Sequence, residues 1–284
     1  MKLKKLLESK LNRFRPGLQV YYWRPSDTSL RNFGDEITPI IVEKIWGIKC
    51  HWTRLADCKL VGAGSVLELL DDYGPRKRFV HVWGSGYIKD GASAHTRTNV
   101  KYSLVRGPLT GSRIGADVPY GDPGLLASKV FQRSSAIKHK VGVVLHMKDM
   151  DSSDIKKMSR DVFIISPYQS PQKVAQDITS CEIIFSSSLH GLIFADSFNI
   201  PNFRLKHNEL EGQDYKFRDY YKSTGRSESL SYSLTGLRTI INSESELRKA
   251  ISKYRPVKDL SDMQNTIINT FPFKKMKKSI RIGV

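Results

Sequence analysis

Residues 181–202 read CEIIFSSSLHGLIFADSFNIPN. Glu182-Ile183-Ile184-Phe185 is a short, apolar, β-prone run, whereas Leu189, Leu192, Ile193, Asp196 and Ser197 recur at helical spacing, so the hydrophobic period changes between them. The three serines and His190 therefore sit at a strand-to-helix turn. The first N–H groups of a helix lack internal partners and lie at the positive end of its dipole, which favours a phosphate or carboxylate there. Ser186, Ser187 and Ser188 add hydroxyl donors, and His190 adds a group that titrates near neutral pH. In a plainer reading one serine caps the helix and His190 fills the turn; these residues alone leave both open.

The same alternation runs outward in both directions. LQVYYW (18–23) reads as a strand and TPIIVEKIWG (38–47) as a helix, with Thr38 as N-cap, Pro39 in the first turn and Gly47 at its end. CKLVGAG (58–64), FVHVWGSG (79–86) and YSLV (102–105) read as further strands, and Pro108 opens a helix. VGVVLH (141–146), VFIIS (162–166) and EIIFSS (182–187) form a second series, separated by DSSDIKKMS and SPQKVAQDITSC as helices. Alternating elements imply an α/β fold with parallel sheets, here as two Rossmann-like domains with a cleft between them. The boundaries follow from the pattern: a basic amphipathic helix over 1–17, an N-terminal domain over 18–127, a polar linker over 128–139, a C-terminal domain over 140–255, and a final helix with a basic tail over 256–284.

A chain of 284 residues with 39% hydrophobic residues can bury such a core, and no run of about 18 apolar residues suggests a membrane span. The start, MKLKKLLESKLNRFRPG, lacks the long apolar segment of a secretory signal, so a cytoplasmic protein is expected. Cys50, Cys58 and Cys181 have neither CxxC spacing nor an even count, which points to buried thiols. The net charge of +18 implies an anionic partner. The basic residues gather at the chain ends without an aromatic groove motif between them, which argues against nucleic acid. At the start, Leu3, Leu6, Leu7, Leu11 and Phe14 trace one helical face among Lys2, Lys4, Lys5, Lys10 and Arg13. At the end, Lys274, Lys275, Lys277, Lys278 and Arg281 surround Phe271, Phe273 and Met276. Both patterns suit an anionic membrane surface, and a peripheral location at the inner face of the plasma membrane is expected.

In open α/β sheets ligands sit beyond the carboxyl ends of the strands. There the sequence offers Asn32, Asp35 and Glu36 after the first strand, Gly62 and Gly64 after the next, then Gly84, Ser85 and Gly86, then Arg106, His146 and His190. VGAGSVLELL has Leu67 where a dinucleotide fingerprint needs its third glycine, and neither GK[ST] nor HExxH occurs, so no cofactor and no metal are expected. The remaining set suits a small anion with phosphate and carboxylate, flanked by an acid and a base. Each residue also has a structural reading: Arg106 as the partner of a structural Asp, His146 as a satisfied core residue, and Asp35 or Glu36 as a residue that favours a helix start.

NFGDEITP, VGAGSVL, VWGSGY, VRGPLT, YGDPGLLA, the strand ending in His146, SSSLHGLIFADSFNIPN and KFRDYY, in that order, resemble the polysaccharide pyruvyltransferase family. The resemblance implies a fold similar to the GT-B glycosyltransferases and transfer of a pyruvyl group from phosphoenolpyruvate to two hydroxyls of a sugar, forming a ketal in a bacterial surface polysaccharide, as in exopolysaccharide or capsule, or in its lipid-linked precursor. It also implies that Arg106 and Ser188, Leu189, His190 and Gly191 hold the donor. Ser187 and Gly64 are placed with them, and Asn32, Glu36, Lys216 and Arg218 on the acceptor side. The expected chemistry has protonated His190 or His146 as the acid and Asp35 as the base. The alternative is a GT-B glycosyltransferase with a nucleotide-sugar donor in the same cleft.

Overall fold

Ten short β-prone runs, most of them rich in Val, Ile, Leu and Phe, form two separate sheets in the computed structural model, which describes residues 2–27, 29–72, 78–92, 99–158, 161–226 and 230–274. The first sheet contains β1 (Leu18–Tyr21), β2 (Cys50–Trp52), β3 (Leu60–Val61), β4 (Val80–Trp83) and β5 (Val100–Leu104) in the order β2-β1-β3-β4-β5. The second contains β6 (His139–Val144), β7 (Phe163–Ile165), β8 (Cys181–Ser186), β9 (Asn202–Lys206) and β10 (Ser231–Ser233) in the order β10-β9-β8-β6-β7. All pairings are parallel. Read from each sheet's own first strand, both orders are 2-1-3-4-5. Each sheet therefore reverses its winding once, between β1 and β3 and between β6 and β8.

Parallel strands are covered on both faces, so their side chains alternate between two cores. Val141, Val143, Ile183, Phe185, Phe203 and Leu205 pack in one cluster. Val144 and Ile184 point the other way, into a cluster they share with Leu18, Val20, Leu60 and Trp83 of the first sheet. The two halves thus have a common core. The chain also returns to its starting half: in the helix Leu260–Asn269, Ile267 O accepts from Trp83 Nε1 at 3.0 Å, and Phe271 beyond it stacks on Trp46 at 4.0 Å between centroids.

Several elements differ from the sequence expectation. β2, β9 and β10 are not signalled, because they are short or polar. In β9, Arg204 is buried by laying its guanidinium over Phe217 at 3.8 Å and pairing with Asp214 at 2.7 Å. Thr38 is not an N-cap but lies inside the helix Ile37–Trp46, where its Oγ1 accepts from Ala63 N at 2.8 Å. Gly47 does end that helix, in the left-handed conformation at φ 67°. The stretch expected to be a linker begins in the short helix Ala127–Val130 and ends in β6. Among the described residues no helix is long and apolar enough to cross a membrane. Lys275, Met276, Lys277, Lys278 and Arg281 of the expected basic tail lie outside the described residues.

Candidate functional site

The two reversal points face each other across a hollow of about 330 Å³. Asn32 and Asp35 enter it from the loop after β1, Ser65 from the turn after β3, His146 from the end of β6, Ser188 and His190 from the turn after β8, and Lys216 from the helix Tyr215–Ser223. A larger groove of about 780 Å³ lies elsewhere, beside the first helix, and holds none of these groups. The smaller hollow is the candidate site because strand ends at a switch point bring loops from both sheets together, and because its titratable groups are strongly perturbed.

His190 is held by close packing. Strand β8 ends at Ser186, whose Oγ accepts from Ser188 N at 3.1 Å and donates to Val144 O at 3.0 Å, fixing the turn. Ser188 starts the helix Leu189–Ser197 in an extended conformation, and no side chain caps that helix. A helix start without a side-chain cap leaves its first N–H groups able to meet an anion. The imidazole lies against Gly34: a Cβ there would stand 2.1 Å from His190 Nδ1. Gly64, at φ +111°, plays the same part for Asp35, since a Cβ would meet Asp35 Oδ1 at 2.6 Å.

The imidazole is flanked by two carboxyl groups. Its Nδ1 is 4.0 Å from Asp35 Oδ1 and its Nε2 is 3.9 Å from Asp122 Oδ2. Asn32 Nδ2 donates to Asp35 Oδ2 at 3.0 Å, leaving Oδ1 to carry a proton. Burial, reinforced by the Asp122 charge, pushes Asp35 up to about 8. Burial also raises Asp122, to about 6, against the opposing effect of its hydrogen bond from Gly124 N. His190 moves the other way, down to about 3, through burial and the nearby Lys216 and Arg106 cations. His146 falls to about 4 for the same kinds of reason, burial first and Lys216 next. At neutral pH the hollow therefore holds its proton on Asp35, with both imidazoles neutral. This reverses the expected arrangement, in which a histidine is the acid and Asp35 the base. Environments that drive neighbouring groups apart in this way assign acid and base roles.

The buried cation of the hollow is Lys216; Lys148, which also lines it, is exposed. The Lys216 helix is locked by three neighbours: Phe217 is buried under Arg204, Asp219 accepts from Thr110 N at 3.0 Å and from Arg106 Nε at 3.0 Å, and Tyr220 donates to Asp196 Oδ2 at 2.7 Å. Lys216 itself is 7% exposed; its ammonium lies over the Phe217 ring at 5.5 Å from the centroid and has no hydrogen-bond or ion-pair partner among the described residues. Burial and the Arg106 charge lower it to about 8. A buried ammonium without a counter-ion is unfavourable. An anionic ligand would relieve that cost.

Arg106 occupies a different position from the one expected. It is fully buried, pairs with Asp219, donates through Nη1 to Ser65 Oγ at 2.6 Å and through Nη2 to Tyr87 O, and does not line the hollow. The structural alternative, a pairing with a buried Asp, is the one observed. Arg106 touches the site through Ser65 and through the Lys216 helix that Asp219 anchors, and its charge also depresses His190 and Lys216. Glu36 is half-buried and paired with Arg31 at 2.6 Å, and Arg218 is exposed on the far side of its helix; neither lines the hollow. Ser187 is spent on structure, donating to Asp149 and accepting from His146 N at 2.9 Å. Gly191 lets the helix approach β6, where a Cβ would stand 2.8 Å from Val144 Cβ. Asn32, Asp35, His146, Ser188, Leu189, His190 and Lys216 are brought together. Ser65 and Asp122 were absent from the expected set.

Residues 118–209 match the family model described as polysaccharide pyruvyl transferase. They include Asp122, His146, Ser188 and His190. The chain is also similar to "Uncharacterized protein L143" of Acanthamoeba polyphaga mimivirus, with 29% identity over 149 residues, which cover 50% of this chain and 51% of that protein. The chain thus spans about half the length of the curated relative it matches.

Proposed function

We propose that this chain, whose residues 118–209 match the polysaccharide pyruvyl transferase family model, is a member of that family that takes its pyruvyl group from phosphoenolpyruvate and joins it as a ketal to two hydroxyls of a sugar, in a bacterial surface polysaccharide or its lipid-linked precursor. The observation that carries the reading is the grouping of a proton-bearing Asp35, a neutral His190 and an unpaired, buried Lys216 around an uncapped helix start. Phosphoenolpyruvate has the anionic groups that Lys216 and the helix N–H groups would hold. A hollow of about 330 Å³ is at the small end for ligand sites. It favours a three-carbon donor with part of a sugar over a nucleotide sugar.

In this reaction Asp35 Oδ1 gives its proton to the methylene carbon of the donor as a sugar oxygen bonds to C2. The proton of that hydroxyl passes to His190 Nδ1, with Asp122 supporting the imidazole through Nε2. The C2–O bond to phosphate then breaks, and its electron pair leaves with the phosphate, which takes the His190 proton. A second hydroxyl bonds to C2, and its proton returns to Asp35. The bound donor's negative charge favours this division, since it keeps Asp35 protonated and raises the basicity of His190. His146 accepts from Lys148 N through Nδ1 at 3.2 Å, which leaves its Nε2–H as a donor to phosphate or sugar oxygen.

The test is to incubate the protein with phosphoenolpyruvate and panels of galactosides, glucosides and mannosamine derivatives, then follow phosphate release and product mass. A product carrying one ketal-linked pyruvyl group is expected. Turnover of a nucleotide sugar with no consumption of phosphoenolpyruvate would replace this reading by glycosyl transfer.

A further inference from the structure

The first helix, Lys2–Asn12, faces the opposite way from a helix that packs on a core. Its polar side is bound to the protein: Asn12 Nδ2 donates to Trp52 O at 2.8 Å, Ser9 Oγ accepts from Arg54 N at 3.0 Å, and Lys5 Nζ donates to Pro25 O at 2.8 Å. Its apolar side is in water. Leu7 is 53% exposed, Leu11 66% and Phe14, just beyond the helix, 81%. The spacing of these residues, i, i+4 and i+7, makes one ridge. Lys4, Lys10 and Arg15 beside it are exposed and form no ion pair among the described residues.

We propose that this ridge seats the protein on an anionic lipid bilayer, with the three apolar side chains in the headgroup region and the flanking cations on the lipid phosphates. The pins on the polar side hold the ridge outward, so it does not have to leave a core to bind. A bilayer fits better than a protein groove because cations rim the ridge in a chain of net charge +18. Each such cation near an anionic leaflet strengthens binding about fivefold, so three supply about a hundredfold. Bilayer binding by this ridge is independent of the proposed reaction.

The experiment is co-sedimentation of the full chain with vesicles of phosphatidylcholine, with and without phosphatidylglycerol, compared with a Leu7→Ser, Leu11→Ser, Phe14→Ser variant. We expect the unaltered protein to bind the anionic vesicles in a salt-sensitive way and the variant to bind at least about tenfold more weakly. Its melting temperature should change little, because all three side chains are more than half exposed. Undiminished binding by the variant, or no binding by the unaltered protein, would overturn the inference. So would a dimer, seen by light scattering, that the variant loses without any vesicle binding. Transfer to a soluble acceptor, measured separately, reports on the reaction alone.

Discussion

His190 Nε2 and Asp122 Oδ2 lie 3.9 Å apart, and both atoms are buried without a hydrogen-bond partner among the described residues. Two unsatisfied polar atoms facing each other in a protein interior form an unfinished contact. Catalytic hydrogen bonds are often long in an empty site and tighten when substrate arrives. With Asp122 ionised, the contact keeps the imidazole proton on Nε2 and the lone pair on Nδ1, facing Asp35 and the substrate.

Asp122→Asn tests that role. Asparagine keeps the Oδ1 that accepts from Gly124 N at 2.8 Å, so the turn should hold. It loses the charge that orients the imidazole. We expect kcat to fall by about 10²–10⁴-fold with little change in the KM for phosphoenolpyruvate. A matched rise in KM with kcat intact would instead place Asp122 in donor binding.

The pH profile follows from the same groups. Asp35 must carry a proton and Lys216 a charge, and both titrate at about 8, so kcat/KM should fall as pH rises through that value. On the acid side Asp122, at about 6, becomes neutral and no longer supports His190, so activity should also fall below that pH. The two limbs describe the cluster rather than single residues. A rate that stays level well above pH 8 would remove Asp35 as the acid.

Gly34→Ala should displace the imidazole without unfolding the chain. The new methyl would lie 2.1 Å from Nδ1 and 2.3 Å from Cγ of His190, and crowding of this kind costs about 1–3 kcal/mol. We expect turnover to drop about 10²-fold, as for a misplaced catalytic group, with only a modest loss in melting temperature. Unchanged turnover would show that His190 need not occupy this position.

How far these features were legible in the sequence depended on how local their causes were. The strand-to-helix turn at SSSLHG, the helix end at Gly47 and the second series of strands follow from period changes and glycine, which neighbouring residues determine. Asp35 and Glu36 are adjacent and alike in sequence, yet only Asp35 faces the hollow, because successive residues at a helix start point in different directions. Arg106 follows a strand end, as a ligand residue should. Its strand, β5, is nevertheless the edge strand away from the switch point, and its partner Asp219 is 113 residues along the chain. Asp122, in GDPG, caps the turn through Oδ1. Its second oxygen acquires meaning only when His190 is brought beside it.

Arg106→Leu should act mainly on stability. It would leave the fully buried Asp219 carboxylate without its cation, which costs about 3–5 kcal/mol. In a chain of this size that corresponds to a fall of roughly 10 °C in melting temperature. Replacing Asp219 by Leu in the same protein should recover part of the loss. A stable Arg106→Leu variant with selectively weakened donor binding would return Arg106 to the site.

Lys216→Met should have the opposite effect on the fold. The ammonium is held at about 8 against 10.5, so it destabilises the folded state wherever it is charged, most fully below pH 8, and the penalty vanishes above the unfolded value. At pH 7 we expect the variant to be more stable by about 1–3 kcal/mol. The gain should fade between pH 8 and about 10.5.

Calorimetric titration of phosphoenolpyruvate into the unaltered protein and into Lys216→Met tests the central claim most directly. A charge-assisted contact is worth about 1.5–3 kcal/mol, so we expect saturable binding that weakens by about 10- to 150-fold in the variant, although the variant is the more stable protein. Equal affinity in the two proteins, or no binding by the unaltered one, would contradict a donor site built around Lys216 and His190.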